Sequence, residues 1–198
     1  MPVTRETRQA VQDAAQALRQ HRFSVHPFRP HGLEQARKLW ELFFVRCGAM
    51  FEEPLVRGHR EELSPVFRDF LARAHAAPSL SAEELLKAWA EADIVRGKLL
   101  RQMLEYPLLL CPVCSVPAFR HGERNWTIDG RQVEYLDAMR YSQWFNLLAA
   151  PAAVVPVGRS PEGLPIGVQL VGRPFEDEVV LEVASLIDCA FGYMPPEI

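Results

Sequence analysis

The sequence lacks the features of membrane, secreted and nucleic-acid-binding proteins. No apolar run approaches the roughly 20 residues needed to span a bilayer. The first residues, Met1-Pro-Val-Thr-Arg5, lack the apolar core of a secretory signal. The 22 basic and 25 acidic residues interleave along 198 residues and leave a net charge of −3, so they form no basic patch. We therefore expect a cytoplasmic globular protein with no membrane or nucleic-acid partner.

Cysteine is scarce, and its spacing gives little support to a metal or redox site. Of the four cysteines, Cys111 and Cys114 have the CxxC spacing, whereas Cys47 and Cys189 have no Cys or His at ligand spacing. A structural zinc site needs a second pair of ligands. A metal site and a redox dithiol are the less favoured alternatives. We predict reduced structural cysteines, with no metal and no cofactor.

Residues 1–105 are predicted to be mainly helical. Thr4 is a candidate N-cap for a first helix, and a second helix is predicted from Leu33 to Met50. The pair Ser64-Pro65 is a favourable start for a third helix, because proline is tolerated in the first turn. The alternation of Phe23 and Val25 predicts a short strand between the first two helices.

A capping box predicts the last helix of this region. Ser81 and Glu84 have its spacing, and apolar side chains then recur at helical intervals. The side chains predicted to point inward from this long helix are those of Leu85, Trp89, Ala92, Leu99 and Met103.

Residues 106–198 have the pattern of a strand and helix block. Leu108 to Cys111 form a continuous apolar run typical of a buried strand, and Asp129-Gly130 suits a two-residue hairpin turn. Next come a helix from about Tyr135 to Leu148, strands at 152–156 and 166–171, and a final helix from about Glu176 to Gly192. Strands that alternate with helices predict an α/β fold.

The segments 145–158 and 160–177 closely resemble the C-terminal block of the amidase-signature family. The residues Tyr106 to Pro112 also resemble a strand of that family, and the resemblance is strongest from 106 to 192. The positions that match the family pattern are Asn146, Pro151, Ala152, Pro156, Gly158, Gly163, Leu164, Pro165, Gly167, Gln169, Gly172 and Asp177. The chain has Ala149 and Ala150 where the family usually has a glycine.

The resemblance implies part of an α/β/α sandwich with a mixed central sheet, lacking its N-terminal half. It makes residues 1–198 a single C-terminal subdomain. Amidase-signature enzymes use a lysine and two serines, the serines lying in a Gly/Ser-rich stretch. This sequence has no adjacent glycines and no Ser-Ser pair, and its lysines, Lys38, Lys87 and Lys98, lie in charged segments predicted to be helical. We therefore assign no catalytic residue, and expect Gln169 and Asp177 to hold local structure.

The segment before Asn146 is the candidate substrate rim. By resemblance, Tyr141 and Trp144, together with Asn146, would line part of a substrate pocket in a complete amidase, although core packing of these aromatic residues is the favoured alternative.

An independent hydrolytic site is the weakest hypothesis. Cys114 or Ser115 would be its nucleophile, with His121 as the base, because all three follow a predicted buried strand. No nucleophile-elbow motif surrounds them, so an ordinary loop is favoured.

Two functions fit the sequence. The chain is predicted to be the C-terminal segment of a hydrolase of amide carbon–nitrogen bonds, inactive alone, whose small amide substrate binds only in the complete enzyme. The alternative is a non-catalytic module that forms a homo-oligomer or joins an amidotransferase-like complex. Either way the expected partner is the N-terminal half or a second copy of the chain, bound through apolar helix faces that carry Trp40, Phe43, Phe44, Leu85 and Trp89.

Overall fold

The computed structural model describes residues 1–192, which divide into two compact units. The sheet unit comprises Met1–Pro30 together with the chain from Leu100 onward, and the helical unit comprises His31–Leu99. In chain order the elements are α1 (Arg5–Gln20), α2 (Leu33–Trp40), a π-helical segment (Glu41–Cys47), α3 (Gly48–Leu55), a 3₁₀ turn (Arg60–Glu62), α4 (Pro65–Ala76), α5 (Ala82–Gln102), β1 (Leu109–Pro112), β2 (Asn125–Ile128), β3 (Arg131–Glu134), α6 (Tyr135–Ala138), α7 (Arg140–Leu148), β4 (Ala152–Arg159), β5 (Pro165–Val171) and α8 (Asp177–Phe191). This mixture confirms the predicted α/β class. Among residues 1–192, no helix is long and apolar enough to cross a membrane.

The central sheet has three strands in the order β1, β5, β4. Both pairings are antiparallel, so the parallel strands of the expected mixed sheet do not lie within residues 1–192. β5 is the central strand, as its long apolar run predicts: six of its seven residues are apolar, and the seventh, Gln169, is also buried. The chain from β4 to β5 turns through Gly163, whose positive φ of 83° favours glycine.

One face of this sheet packs against two helices. Helix α1 contributes mostly small residues, α8 contributes mostly branched ones, and the strands contribute side chains at alternate positions. The buried members of this core are Ala10, Ala14, Leu18, Val155, Val157, Ile166, Val168, Leu170, Val180, Val183, Ala184 and Ile187. Although α1 is remote in sequence from the strands, it therefore belongs to the sheet unit.

Thr4 caps α1 as predicted, its hydroxyl accepting a hydrogen bond from the Thr7 N–H at 3.4 Å. The strand predicted at Phe23 and Val25 is wrong. Phe23 donates its N–H to the Leu18 carbonyl, closing the end of α1, and residues 23–30 form no strand. Both side chains do pack against the core, so the alternation of apolar residues correctly indicated burial but not strand pairing.

The hairpin prediction is confirmed. Asp129 and Gly130 connect β2 to β3, and both have positive φ, 49° and 74°, as a two-residue turn of this type requires. The helix predicted after it is interrupted at Met139, which separates α6 from α7. At the end of α7, Ala149 takes the left-handed conformation with φ 50°. This geometry accounts for the glycine that the amidase-signature pattern usually has in this region.

The second predicted helix is confirmed and is longer than expected. It runs as α2 up to Trp40, continues through the π-helical segment, and ends with α3 at Leu55. Stacked rings of Trp40 and Phe44, 5.7 Å apart, accompany the π-helical turns. The start of α4 is also confirmed, because the Ser64 hydroxyl accepts from the Phe67 N–H.

Helix α5 begins at the predicted capping box. The Ser81 N–H donates to the Glu84 carboxylate at 2.8 Å, and the Glu84 N–H donates to the Ser81 hydroxyl at 3.2 Å. The buried residues of this helix are Ala88, Ala92, Val95 and Leu99. The prediction that Trp89 points inward is wrong, since it is one position away from this face and 61% exposed. Its ring meets Phe43 edge-on at 5.6 Å.

Candidate functional site

Helix α7 carries all three predicted rim residues but does not present them together. Tyr141 and Trp144 are three residues apart, so they share one side of the helix, and both are half-buried. Asn146 is exposed and lies about 200° around the helix from Trp144. The Tyr141 hydroxyl donates to the Met1 carbonyl at 2.9 Å. A rim role therefore remains a prediction, with Tyr141 and Trp144 as its adjacent pair.

Tyr141 also has a perturbed hydroxyl. Burial raises the pKa of Tyr141 above its ordinary value of 10, and the nearby Cys111 thiol adds to the shift. The phenol is therefore protonated at neutral pH and acts as a hydrogen-bond donor.

Gln169 fixes α7 to the sheet. Its side chain is 3% exposed and lies on the face of β5 opposite the core. The Nε2 group donates to the Pro112 carbonyl at 2.8 Å and to the Tyr141 carbonyl at 2.7 Å. This confirms the prediction that Gln169 holds local structure. Asp177 lies in the first turn of α8, where its carboxylate suits the helix dipole. Sequence reasoning missed the Pro112 carbonyl as a partner, since no short-range pattern marks it.

Cys111 in β1 and Cys114 just after it are poor nucleophiles. Burial raises the pKa of the Cys111 thiol to about 12, and burial also raises the pKa of the Cys114 thiol. The Cys114 thiol donates to the Val116 carbonyl at 2.7 Å. Because the thiolate is the reactive form, neither side chain is activated at neutral pH. All four cysteines are free thiols, and Cys189 is exposed.

Ser115 and His121 do not form a nucleophile and base pair. Ser115 is fully buried, whereas His121 is exposed in a turn. Among the described residues, the Ser115 hydroxyl has no hydrogen-bond partner. A serine nucleophile needs a base within hydrogen-bond reach. The favoured interpretation of this segment as an ordinary loop is therefore supported.

The lysines are helical, as predicted. Lys38 lies on α2, and Lys87 and Lys98 lie on α5, all three with exposed side chains. Lys87 pairs with Glu83 one turn away at 2.6 Å.

Residues 1–192 contain no group of three His, Cys, Asp or Glu side chains placed to hold a metal ion.

Two relatives each match about half of the chain. Over 91 residues it is 36% identical to a glutamyl-tRNA(Gln) amidotransferase subunit of Nitrobacter winogradskyi, covering 46% of this chain and 18% of that protein. Over 120 residues it is 31% identical to the fatty acid amide hydrolase of Arabidopsis thaliana, covering 52% of this chain and 19% of that protein. The chain thus spans about a fifth of these relatives in the aligned regions.

Solved structures match almost the whole chain. A crystal structure of an amidase, 25% identical, superposes with a TM-score of 0.81 over 96% of this chain and 43% of that one. The 6-aminohexanoate cyclic dimer hydrolase, 21% identical, shares the fold with a TM-score of 0.74 and 42% of its own length covered. The family model described as Amidase matches residues 1–181. The chain therefore belongs to the amidase family, and it spans less than half the length of the solved members that it matches.

Proposed function

We propose that this chain supplies the C-terminal part of an enzyme that hydrolyses amide bonds. In this proposal it provides the sheet core and one wall of the substrate cleft. The serine and lysine machinery belongs to a part of the enzyme outside these 198 residues. The names of the matched relatives, an amide hydrolase and a component of an amidotransferase, support a carbon–nitrogen bond as the target.

The proposal rests on the exposed apolar side chains on the face of β4 opposite the core. Val155 and Val157 are buried against the helices, yet Ala152 and Val154 on the opposite face are exposed, Val154 at 57%. A strand that is apolar on both faces is typical of a sheet covered on both sides. Among residues 1–192, β4 pairs only with β5, so its second edge is open to another strand. We infer that the sheet continues beyond β4 in the complete enzyme.

The two hydrogen bonds from Gln169 support a rim role for α7. A substrate wall must be held to a fraction of an ångström to orient a reacting bond. Gln169 joins α7 to β1 and β5 through buried contacts, which is the kind of support that such a wall needs. Tyr141 and Trp144 are then the rim candidates.

A chimera tests this function. This chain should replace the matching C-terminal region of the solved amidase that is 25% identical to it, and hydrolysis of a chromogenic anilide should be measured. We expect turnover by the chimera and none above background by the isolated chain. The chimera with Cys114→Ala and Ser115→Ala should keep its activity, because neither side chain is proposed to react. The chimera with Gln169→Leu should lose activity.

Two outcomes contradict the proposal. The first is turnover by the isolated chain together with labelling by a serine-directed inhibitor. The second is a chimera that melts at the temperature of the parent enzyme but has no activity.

A second candidate, self-association, follows from the exposed apolar side chains of the helical unit. Trp40 and Phe43 are half-buried, so they offer less contact area than the sequence suggests. The most exposed apolar side chains of the unit include Phe51 and Leu55, at 78% and 79%. Apolar surface of this kind often marks an interface. We propose a homodimer in which this surface is buried over at least about 1,000 Å² in total.

Light scattering at micromolar concentration tests the homodimer. A monodisperse dimer that becomes a monomer in the double variant Phe51→Ser, Leu55→Ser supports it, with Leu104→Ser in the sheet unit as the matched surface control. A monodisperse monomer that binds no hydrophobic dye would contradict it.

A further inference from the structure

The helical unit contains a groove of ligand size. It has a volume of about 560 Å³ and lies between two segments, residues 46–57 and residues 74–80. Small-molecule pockets usually have volumes of about 300 to 1,000 Å³ and are largely apolar with a few polar groups. Apolar walls come from Ala49, Ala74 and Ala77 among others. The lining includes Arg46 and Cys47, the last residues of the π-helical segment. Such segments are frequent at functional sites.

The charged groups of the groove have a surplus of positive charge. Arg46 and Arg57 line it, against the single carboxylate of Glu53. A hydrogen bond from Arg60, which lies outside the lining, holds the pKa of Glu53 below its usual range, and the charges of His75 and Arg57 add to this effect. Arg60 therefore compensates the Glu53 charge at one carboxylate oxygen, and His75 Nε2 lies 3.4 Å from the other.

Both lining arginines have hydrogen-bonding capacity for a ligand. A guanidinium has five N–H donors. Arg46 uses one N–H for the Pro78 carbonyl at 2.5 Å, and its charge also helps lower the pKa of Glu84, whose carboxylate is bound by Ser81. Arg57 is exposed, so a ligand in the groove can reach its guanidinium. Guanidinium groups bind carboxylates in a two-pronged geometry.

We propose that this groove binds a small carboxylate with an apolar body. The carboxylate pairs with the lining arginines, Arg57 and Arg46. The body lies against the alanine-rich wall formed by Ala49, Ala74 and Ala77. This site is independent of the amide-hydrolase function proposed above, because it uses only residues of the helical unit.

Protection of Cys47 from alkylation tests the site. Cys47 lines the groove and is half-buried, whereas Cys189 is exposed on α8 and serves as the internal control. The probe is hexanoate, the reagent is the neutral N-ethylmaleimide, and peptide mass spectrometry follows each cysteine separately. With a Kd on the order of 1 mM, ordinary for a ligand this small, about 10 mM hexanoate should slow the alkylation of Cys47 roughly tenfold. The rate at Cys189 should not change.

Variants and other probes assign the contacts. Arg57→Gln removes one charge-assisted pair, so affinity should fall roughly tenfold and the protection to about twofold. Arg68→Gln removes a charge from an exposed arginine of α4 outside the groove and should leave protection intact. Ala77→Trp fills the groove and should abolish protection. Hexanol, hexylamine and inorganic phosphate each lack either the negative charge or the apolar body and should protect Cys47 less than about twofold.

Three results overturn the proposal. The first is equal protection by hexanol and hexanoate, which would indicate an apolar groove without anion preference. The second is equal slowing at Cys189, which would indicate a nonspecific effect. The third is the absence of protection at Cys47 in a chain whose melting temperature and circular dichroism are those of the folded protein.

Discussion

Replacing Gly172 with alanine tests the packing of the sheet against α8. Gly172 follows β5, and its N–H donates to the Pro151 carbonyl at 3.0 Å. A Cβ added here would overlap the Val180 Cγ2 atom, closer than real Cβ contacts occur. It would also contact the Glu176 carbonyl oxygen and Leu108 Cδ2, both at 3.7 Å.

The cost follows from the stiffness of this contact. Val180 is 2% exposed and lies on a helix, where a β-branched side chain has one strongly preferred rotamer. Relief therefore requires an unfavourable rotamer or a shift of α8. Overpacking of a close-packed core costs typically 1 to 3 kcal/mol, and we expect Gly172→Ala to cost about 2 to 3 kcal/mol. For a chain of this size the melting temperature should fall by roughly 5 to 10 °C.

Urea unfolding followed by circular dichroism measures this cost. Gly158→Ala is the matched control, because its added Cβ would lie 3.9 Å from the Ala10 Cβ, an ordinary contact. That control should change the free energy of unfolding by less than about 0.5 kcal/mol. Combining Gly172→Ala with Val180→Ala removes the overlapping atom, so the double variant should be more stable than the sum of the single costs by at least about 1 kcal/mol. A Gly172→Ala protein as stable as the original would refute the argument.

Three further predictions concern Gly167, Gln169 and Cys111. Gly167→Val should lower the free energy of unfolding by about 1 to 3 kcal/mol, since its Cβ would lie 2.9 Å from Val154 Cγ1. Gly167→Ala should cost less, because the exposed Val154 side chain can rotate away. An unchanged melting temperature in the valine variant would contradict the strand packing. Gln169→Leu removes the side-chain donor to two carbonyls and should lower the free energy of unfolding in urea by about 1 to 3 kcal/mol. A variant as stable as the original protein would contradict this prediction. Cys111, with its pKa raised to about 12 by burial, stays protonated below that value. Its alkylation should therefore be at least about tenfold slower than that of the exposed Cys189 between about pH 7 and 9, and equal rates would argue against burial.

Sequence reasoning succeeded where the determining contacts are local. The capping box of Ser81 and Glu84 and the turn at Asp129-Gly130 depend on residues within four positions of each other, so the pattern contains the whole interaction. Burial at Phe23 was also predictable from alternation. The absence of a strand at this segment could not be predicted. Strand formation depends on a neighbouring strand, and no local pattern reveals whether one is present.

The candidate site was less predictable because its contacts are long-range. Gln169 bonds to carbonyls that lie 57 and 28 positions away along the chain, at Pro112 and Tyr141. The family pattern marked Gln169 as important but could not name these partners. The π-helical turns that end at Cys47, and the groove beside them, left no recognisable signal in the apolar periodicity.

Replacing Ala149 with glycine should make this chain more stable. An alanine in the left-handed conformation costs roughly 1 to 2 kcal/mol through the clash of its Cβ with the backbone, a penalty from which glycine is exempt. Protein engineers usually replace glycine with alanine to stiffen an unfolded chain, but at this helix end the exchange runs in the opposite direction. Ala149 is exposed, so a glycine here gives up no packing and should raise the thermal tolerance of the fold.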